Sequence, residues 1–263
     1  VTPTSALEDT MSGSSPTPDD GLGRYVYAVV DAGSSLPDGL EGLDGAPLRT
    51  VTCGEVAAVV ADIAVERPPG RRADLLAHSR VVDALAVDLV VVPVQFGSLL
   101  PDDESVVEDF LAPQQPLFLE HLEALDGRAQ FTLRASYHEG TALAEIVQSD
   151  PEIADLRRRT RDLPEDEGYS LRVRLGELVA KAMERKREDD AAVLLDAVAP
   201  HVAAQLPRSG GGLDHVLDVA LLVDDERREE LERHLESLAE AVHERIRLRL
   251  MGPMAPYDFV GGS

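Results

Sequence analysis

The spacing of apolar residues changes period several times along the chain, and that alternation restricts it to folds in which sheet and helix share a core. From Arg24 the run RYVYAVV is β-branched and aromatic, with Tyr25, Tyr27 and Val29 alternating with Val26, Ala28 and Val30 as a strand requires. LRTVTCGEVAAVVADIAV reads as two short strands about Gly54, a hairpin. From Ala73 the period becomes helical. Leu75, His78, Val82, Leu85 and Leu89 recur at steps of three and four, which places His78 on the apolar stripe. LVVVPVQFGSLL returns to strand character, with Pro93 confining it to a strand start, an edge or a bulge. Asp102 or Asp103 can cap a helix through DESVVEDFLA, and PLFLEHLEALDG supplies another that ends at Gly127.

The second half repeats the alternation. AQFTLRASYHE is a strand with Phe131, Leu133 and Ala135 on one face. Helices follow in TALAEIVQ and SDPEIADLRRRTRDL, the latter capped by Asp150 with Pro151 in its first turn. A longer helical region from Tyr169 to about His201 carries Leu171, Leu175, Leu178 and Ala182 on one stripe. PRSGGGLDH reads as a flexible link and VLDVALLV as a strand. DDERREELERHLESLAEAVHERI is an amphipathic helix whose seam is Leu231, Leu235, Leu238, Val242 and Ile246. A last strand and a tail close the chain. The succession predicts an α+β fold of two domains. An N-terminal domain mixing helix and strand covers 24–128, and a modified ferredoxin-like domain covers 129–263, with extra helices replacing one of its strands. Residues 1–23, rich in Ser, Thr, Pro, Gly and Asp and without periodicity, are expected to be a disordered leader.

Charge narrows the function. With 25 basic against 49 acidic residues the net charge is −24, which argues against nucleic-acid phosphates and anionic membranes as partners. The longest apolar stretch, Leu89 to Pro101, is too short for a membrane helix and contains Pro93. The N-terminus has neither the basic nor the apolar region of a secretory signal. Cys53 is the only cysteine, so an intrachain disulfide is impossible, and a cytoplasmic location is the simple reading. Phosphate-loop, GxSxG and HExxH motifs are missing, and GLEGLDG and RSGGGLDH lack the strand and helix that a dinucleotide loop needs. His234 and His243 share a helix, but nine residues turn them half a revolution apart, so they cannot chelate one metal. No catalytic, cofactor or metal residue is therefore assigned. An enzymatic site around His78 or His138 stays open as an alternative, as does a ferredoxin-like regulatory module that binds a small ligand.

The closing stretch GPMAPYDFV, residues 252–260, gathers two prolines, a glycine and two aromatics in a chain with 5 Phe, 5 Tyr and no Trp. Such a tail is expected to dock. Gly252 can take a positive φ while Pro253 and Pro256 fix theirs, which predicts a stiff, turning connection. Tyr257 and Phe259 would face the same way in an extended segment, as a two-pronged aromatic anchor on the protein's own core or, alternatively, on a partner.

RYVYAVV, HSRVVDAL followed by VVPVQFGSLL, the helical centre after Tyr169, LDVALLVDDE and the closing GPMAPYDFV together resemble the gas vesicle protein F/L family, from about Arg24 to Val260. That family typically ends on Gly-Pro, a hydrophobic residue, Pro-Pro-Tyr, a variable residue and Phe-Val; here Ala255 stands for the first proline of the pair. Its middle motif usually reads Leu-Pro-Val-Arg-Phe-Gly-Thr, against Val92, Gln95 and Ser98 at the varying positions here. The resemblance implies the two-domain fold with a modified ferredoxin-like second domain. It also implies a non-enzymatic accessory or minor component of gas vesicle assembly, which binds the shell protein GvpA and helps prevent its aggregation during nucleation. Other gas vesicle accessory proteins are further candidate partners. Pro93, Phe96, Gly97, Gly252, Pro253, Pro256, Tyr257 and Phe259 are the candidate structural or partner-binding residues.

Overall fold

The computed structural model describes residues 21–261 apart from Arg67, Asp162, Glu165, Asp166 and Leu213. The expected leader falls outside the described residues as far as residue 20. Leu22 and Gly23, counted in that leader, are instead strand residues, with Gly23 opposite Ile63.

Strand β1 (Leu22–Asp31) lies at the centre of a first antiparallel sheet. β2 (Leu48–Cys53) and β3 (Val56–Ala64) form the expected hairpin, with Gly54 at φ +58. β3 pairs along β1, and a bulge between Val26 and Ala28 lets β1 bury both faces. Tyr25 and Tyr27 face helix α1 (Arg72–Asp88), whose buried stripe is His78, Val81, Val82 and Leu85. Leu75, expected on that stripe, is exposed instead.

The expected strand across 89–100 is two short pairings with β1, namely β4 (Val92–Pro93) and β5 (Leu99–Leu100). Between them the chain turns, with Gly97 at φ +96 and the Ser98 N–H donating to the Gln95 carbonyl. Asp102 then caps α2 (Asp103–Ser105), accepting from the Ser105 N–H at 2.8 Å. Where two helices were expected, α2 runs through a π-helical turn (Val106–Leu111) straight into α3 (Ala112–Leu125). Pro113 and Pro116 lack N–H groups and interrupt the ordinary ladder, and the π turn just ahead absorbs the register.

The second sheet is built from β6 (Arg128–Tyr137), β7 (Ala204–Pro207), β8 (His215–Asp224) and β9 (Ile246–Met254), in the antiparallel order β7-β8-β6-β9. Helices α4 (Thr141–Ser149), α5 (Pro151–Arg161) and α6 (Tyr169–Val198) lie between β6 and β7, and α7 (Arg228–Val242) between β8 and β9. β7 corrects the expectation that helices replace a strand. It is four residues long, sits at an edge and ends on a proline, too short to show a period. Phe131, Leu133, Val219 and Leu221 pack one face of this sheet against Leu194, Val198, Leu231 and Leu235. Ile246, expected in the α7 seam, begins β9.

Helix α6 has 30 residues, about 45 Å at 1.5 Å per residue, yet only Leu194 and Val198 in it are buried. Arg245, just ahead of β9, holds α6 through Asp190 at 3.0 Å and α4 through Glu145 at 2.8 Å, and the Tyr137 hydroxyl donates to Asp190 at 2.7 Å. Among the described residues no helix is long and apolar enough to cross a membrane.

Candidate functional site

Three of the stretches singled out in the sequence, around Tyr25, Phe96 and Tyr257, meet at His78. The ring is 1% exposed and stacks on Tyr27 with centroids 5.5 Å apart, while Tyr25 and Phe96 meet it edge-on at 5.6 and 5.7 Å. Its Nε2 lies 3.1 Å from the Val94 carbonyl and 2.9 Å from the Tyr257 hydroxyl, and its Nδ1 lies 3.0 Å from the Tyr25 hydroxyl. A carbonyl oxygen only accepts, so Nε2 carries the proton. Nδ1 is then bare and accepts from Tyr25, whose oxygen in turn accepts the Gly97 N–H at 3.1 Å. Pro93 holds the neighbouring strand against Ala28, and Gly97 supplies the turn that brings Phe96 to the ring.

The tail arrives from the other side and departs from expectation twice. Gly252 and Pro253 form no loop but lie within β9, at the bulge where Thr132 pairs with Met251 and Gln130 with Met254. The Gly252–Pro253 peptide is cis and Gly252 has φ +135. Pro256 is buried and leads into a 3-10 turn, Tyr257–Phe259, so the aromatics do not project side by side as in an extended segment. Three residues per turn send three consecutive side chains in three directions. Tyr257 reaches His78 and the first sheet, Asp258 exchanges two hydrogen bonds with the buried Gln130 amide, and Phe259 packs against the cluster that contains Val26, Val29, Phe118 and Leu222. The tail is thus a clasp across both sheets.

Ala255 completes it. It is 0% exposed, and its N–H donates to Asp83 of α1 at 2.9 Å, a bond that a proline at that position could not make. Gln95 is exposed, and the turn uses its carbonyl. Gln130, Asp83 and Asp258 escaped the sequence reading, because one buried amide or carboxylate among many polar residues carries no periodic signal.

His138 sits apart from this cluster, at the end of β6, with its Nε2 2.8 Å from the His243 carbonyl. Cys53 is a partly buried strand-end residue. Among the described residues no three His, Cys, Asp or Glu side chains gather as a metal site.

Burial pushes the Tyr25 and Tyr27 hydroxyls up to about 12, and it lowers His78 below its ordinary 6.5 against the opposing pull of the Val94 carbonyl. The folded state therefore favours neutral His78. Its contribution to stability is complete above pH 6.5 and is lost as the pH falls from there towards the folded value. The slope approaches about 1.4 kcal/mol per pH unit. A separate loss belongs to the carboxylates below about pH 4. The Arg49 guanidinium holds Asp103 low, and in Asp190 the bonds from Tyr137 and Arg245 outweigh burial. Urea titrations from pH 7 to 5 are expected to show the first loss in the wild type and its disappearance in His78→Gln; equal slopes would place the ring in contact with water.

The family model described as "Gas vesicle synthesis protein GvpL/GvpF" matches residues 23–261. Gas vesicle protein F of Streptomyces sp. (strain CB03234) is 29% identical over 242 residues, covering 91% of this chain and 100% of that protein. Gas vesicle protein L of the same strain is 27% identical over 252 residues, covering 90% and 92%. The crystal structure of GvpF from Anabaena sp. PCC7120 superposes with a TM-score of 0.81 at 20% identity, covering 92% of this chain and 99% of that one. GvpF from Microcystis aeruginosa superposes with a TM-score of 0.74 at 21% identity, covering 91% and 99%. The mixed helix and sheet fold is theirs.

Proposed function

The chain belongs to the GvpL/GvpF family of gas vesicle synthesis proteins, and on that footing we propose that it is an accessory or minor structural protein that binds the shell protein GvpA and helps prevent its aggregation during vesicle nucleation. The supporting observation is an acidic coat with large apolar side chains exposed through it. Leu75, Leu76 and Val87 on α1, Leu143 on α4, and Tyr169, Val173 and Val193 on α6 all face solvent, Val87 at 77%. A shell that holds gas against water must present apolar surface, and such surface self-associates until something covers it. A protein of net charge −24 that covers it keeps the escorted complex dispersed by self-repulsion.

The same reading makes each sheet the centre of a domain, with the second ferredoxin-like. Strand, helices, strand, strand, helix, strand in the order β7-β8-β6-β9 is the split βαβ arrangement. It places the protein in the cytoplasm at the growing vesicle, with other gas vesicle accessory proteins as further partners. Co-expression with GvpA tests the central claim. GvpA is expected to move into the soluble fraction and to co-purify with this chain. GvpA that stays insoluble and uncaptured beside a soluble, folded chain would refute it.

A further inference from the structure

One face of the second sheet is covered by α4, α6 and α7, and part of the other is closed where Leu222 and Ala204 join the core of the first sheet. Beyond that the outer face is open and basic. Alternate residues of a strand share a face, so Arg134 and Ser136 of β6 stand beside Arg249 and Arg247 of β9, their cross-strand partners. Like charges directly opposite each other destabilise a sheet. Arg134 is relieved by Asp218 at 2.8 Å, and Arg208 shares that carboxylate and Asp258 at 3.8 and 3.6 Å. Arg247 and Arg249 are exposed, and neither makes an ion pair among the described residues.

These side chains line a hollow of about 410 Å³ together with Arg134, His215, Gly211, Gly212 and one carboxylate, Asp214. One wall is the glycine link. Just before Gly211, Gly210 lies close against His215, whose ring would have to swing aside for a β-carbon there, 1.9 Å from its Cε1. In a chain with 49 acidic and 25 basic residues, two uncompensated arginines in a shaped hollow are a local reversal of sign.

We infer that this face docks an acidic, extended segment of a partner protein, its carboxylates received by Arg247 and Arg249. The guanidinium fork matches a carboxylate through two parallel hydrogen bonds. Residues two apart on a strand lie about 6.8 Å from each other, and the same spacing separates alternate side chains of an extended ligand. A segment with Asp or Glu at every second position therefore meets both arginines. A nucleic acid carries its charge continuously and is repelled by the net −24 of the whole protein, whereas a short segment meets chiefly the local field.

The test uses the full chain and a fluorescent peptide that alternates Glu and Ser, read by anisotropy at low and at physiological salt. Binding is expected in the wild type, weakening with salt, and about tenfold weaker in Arg247→Ser/Arg249→Ser. Arg157→Ser/Arg185→Ser removes the same charge from α5 and α6 and is expected to bind as the wild type does. Both pairs are exposed, so circular dichroism of each variant is expected to match the wild type. The inference fails if the wild type does not bind at low salt, or if the two double variants are equally weakened. It also fails if a single-stranded oligonucleotide displaces the peptide more strongly than unlabelled peptide does. A salt-sensitive dimer in sedimentation that Arg247→Ser/Arg249→Ser abolishes would replace the partner protein with a second copy of this chain.

Discussion

Gly252→Ala is expected to lower the unfolding free energy by about 3–5 kcal/mol, with a matching drop in urea midpoint and an unchanged slope. Two separate costs add. At φ +135 the backbone is in a region that essentially only glycine occupies, worth about 1–3 kcal/mol to any other residue. The added β-carbon would also lie 2.8 Å from Cδ1 of Phe131, 2.9 Å from the Gln130 carbonyl oxygen and 3.1 Å from Cα of Phe131. Two of those three atoms are backbone of β6, the strand that pairs with both β8 and β9, and cannot step aside. An unchanged midpoint would show that the end of β9, an edge strand, peels away at little cost, and that the clasp is not fastened in solution.

How much of this was legible beforehand depended on whether a feature was periodic. β1, the hairpin about Gly54, α1 and α7 all announce themselves through alternation or a stripe and form there, although α7 stops at Val242 short of Ile246 and Leu75 leaves the α1 stripe. Elements defined by backbone geometry left no such trace. β7 is four residues on an edge, the helical run from Asp103 to Leu125 is held together across two prolines by a π turn, and Val94 to Ser98 leaves the strand to make a turn.

The candidate site shows the same division. His78 was legible as an inward-facing ring, because Val82 and Leu85 set the stripe. Its partners were not. The Val94 carbonyl is a backbone atom, and Tyr257 is 179 residues away in sequence. Two of the motifs that carry the family likeness, around Phe96 and around Tyr257, converge on one imidazole, and a linear pattern cannot express that convergence. The aromatic spacing in the tail has the period of a strand, whereas the segment winds with the period of a 3-10 turn. One wrong period turned an anchor that spans two sheets into an expected pair of parallel prongs.

Phe259→Ala tests that corrected geometry. The ring packs against the cluster that holds Val26 and Val29 of β1, Phe118 of α3 and Leu222 of β8, so its removal thins a core to which both sheets contribute. Truncating a buried Phe costs about 3–5 kcal/mol. Phe259 is only partly buried, which places the expected loss near the lower end, at about 3 kcal/mol, still a large share of the roughly 5–15 kcal/mol that holds a typical domain folded. Tyr257 and Asp258 grip different surfaces, so the turn should stay seated and the loss should appear as a shifted midpoint rather than a second transition. Denaturant unfolding of Phe259→Ala, run beside GvpA capture by the same preparation, separates the two roles that the aromatic could have. A lowered midpoint with capture intact at temperatures where the variant is folded assigns the ring to the clasp. An unchanged midpoint rejects the internal anchor, and an unchanged midpoint with weakened capture moves Phe259 to the surface that meets the shell protein.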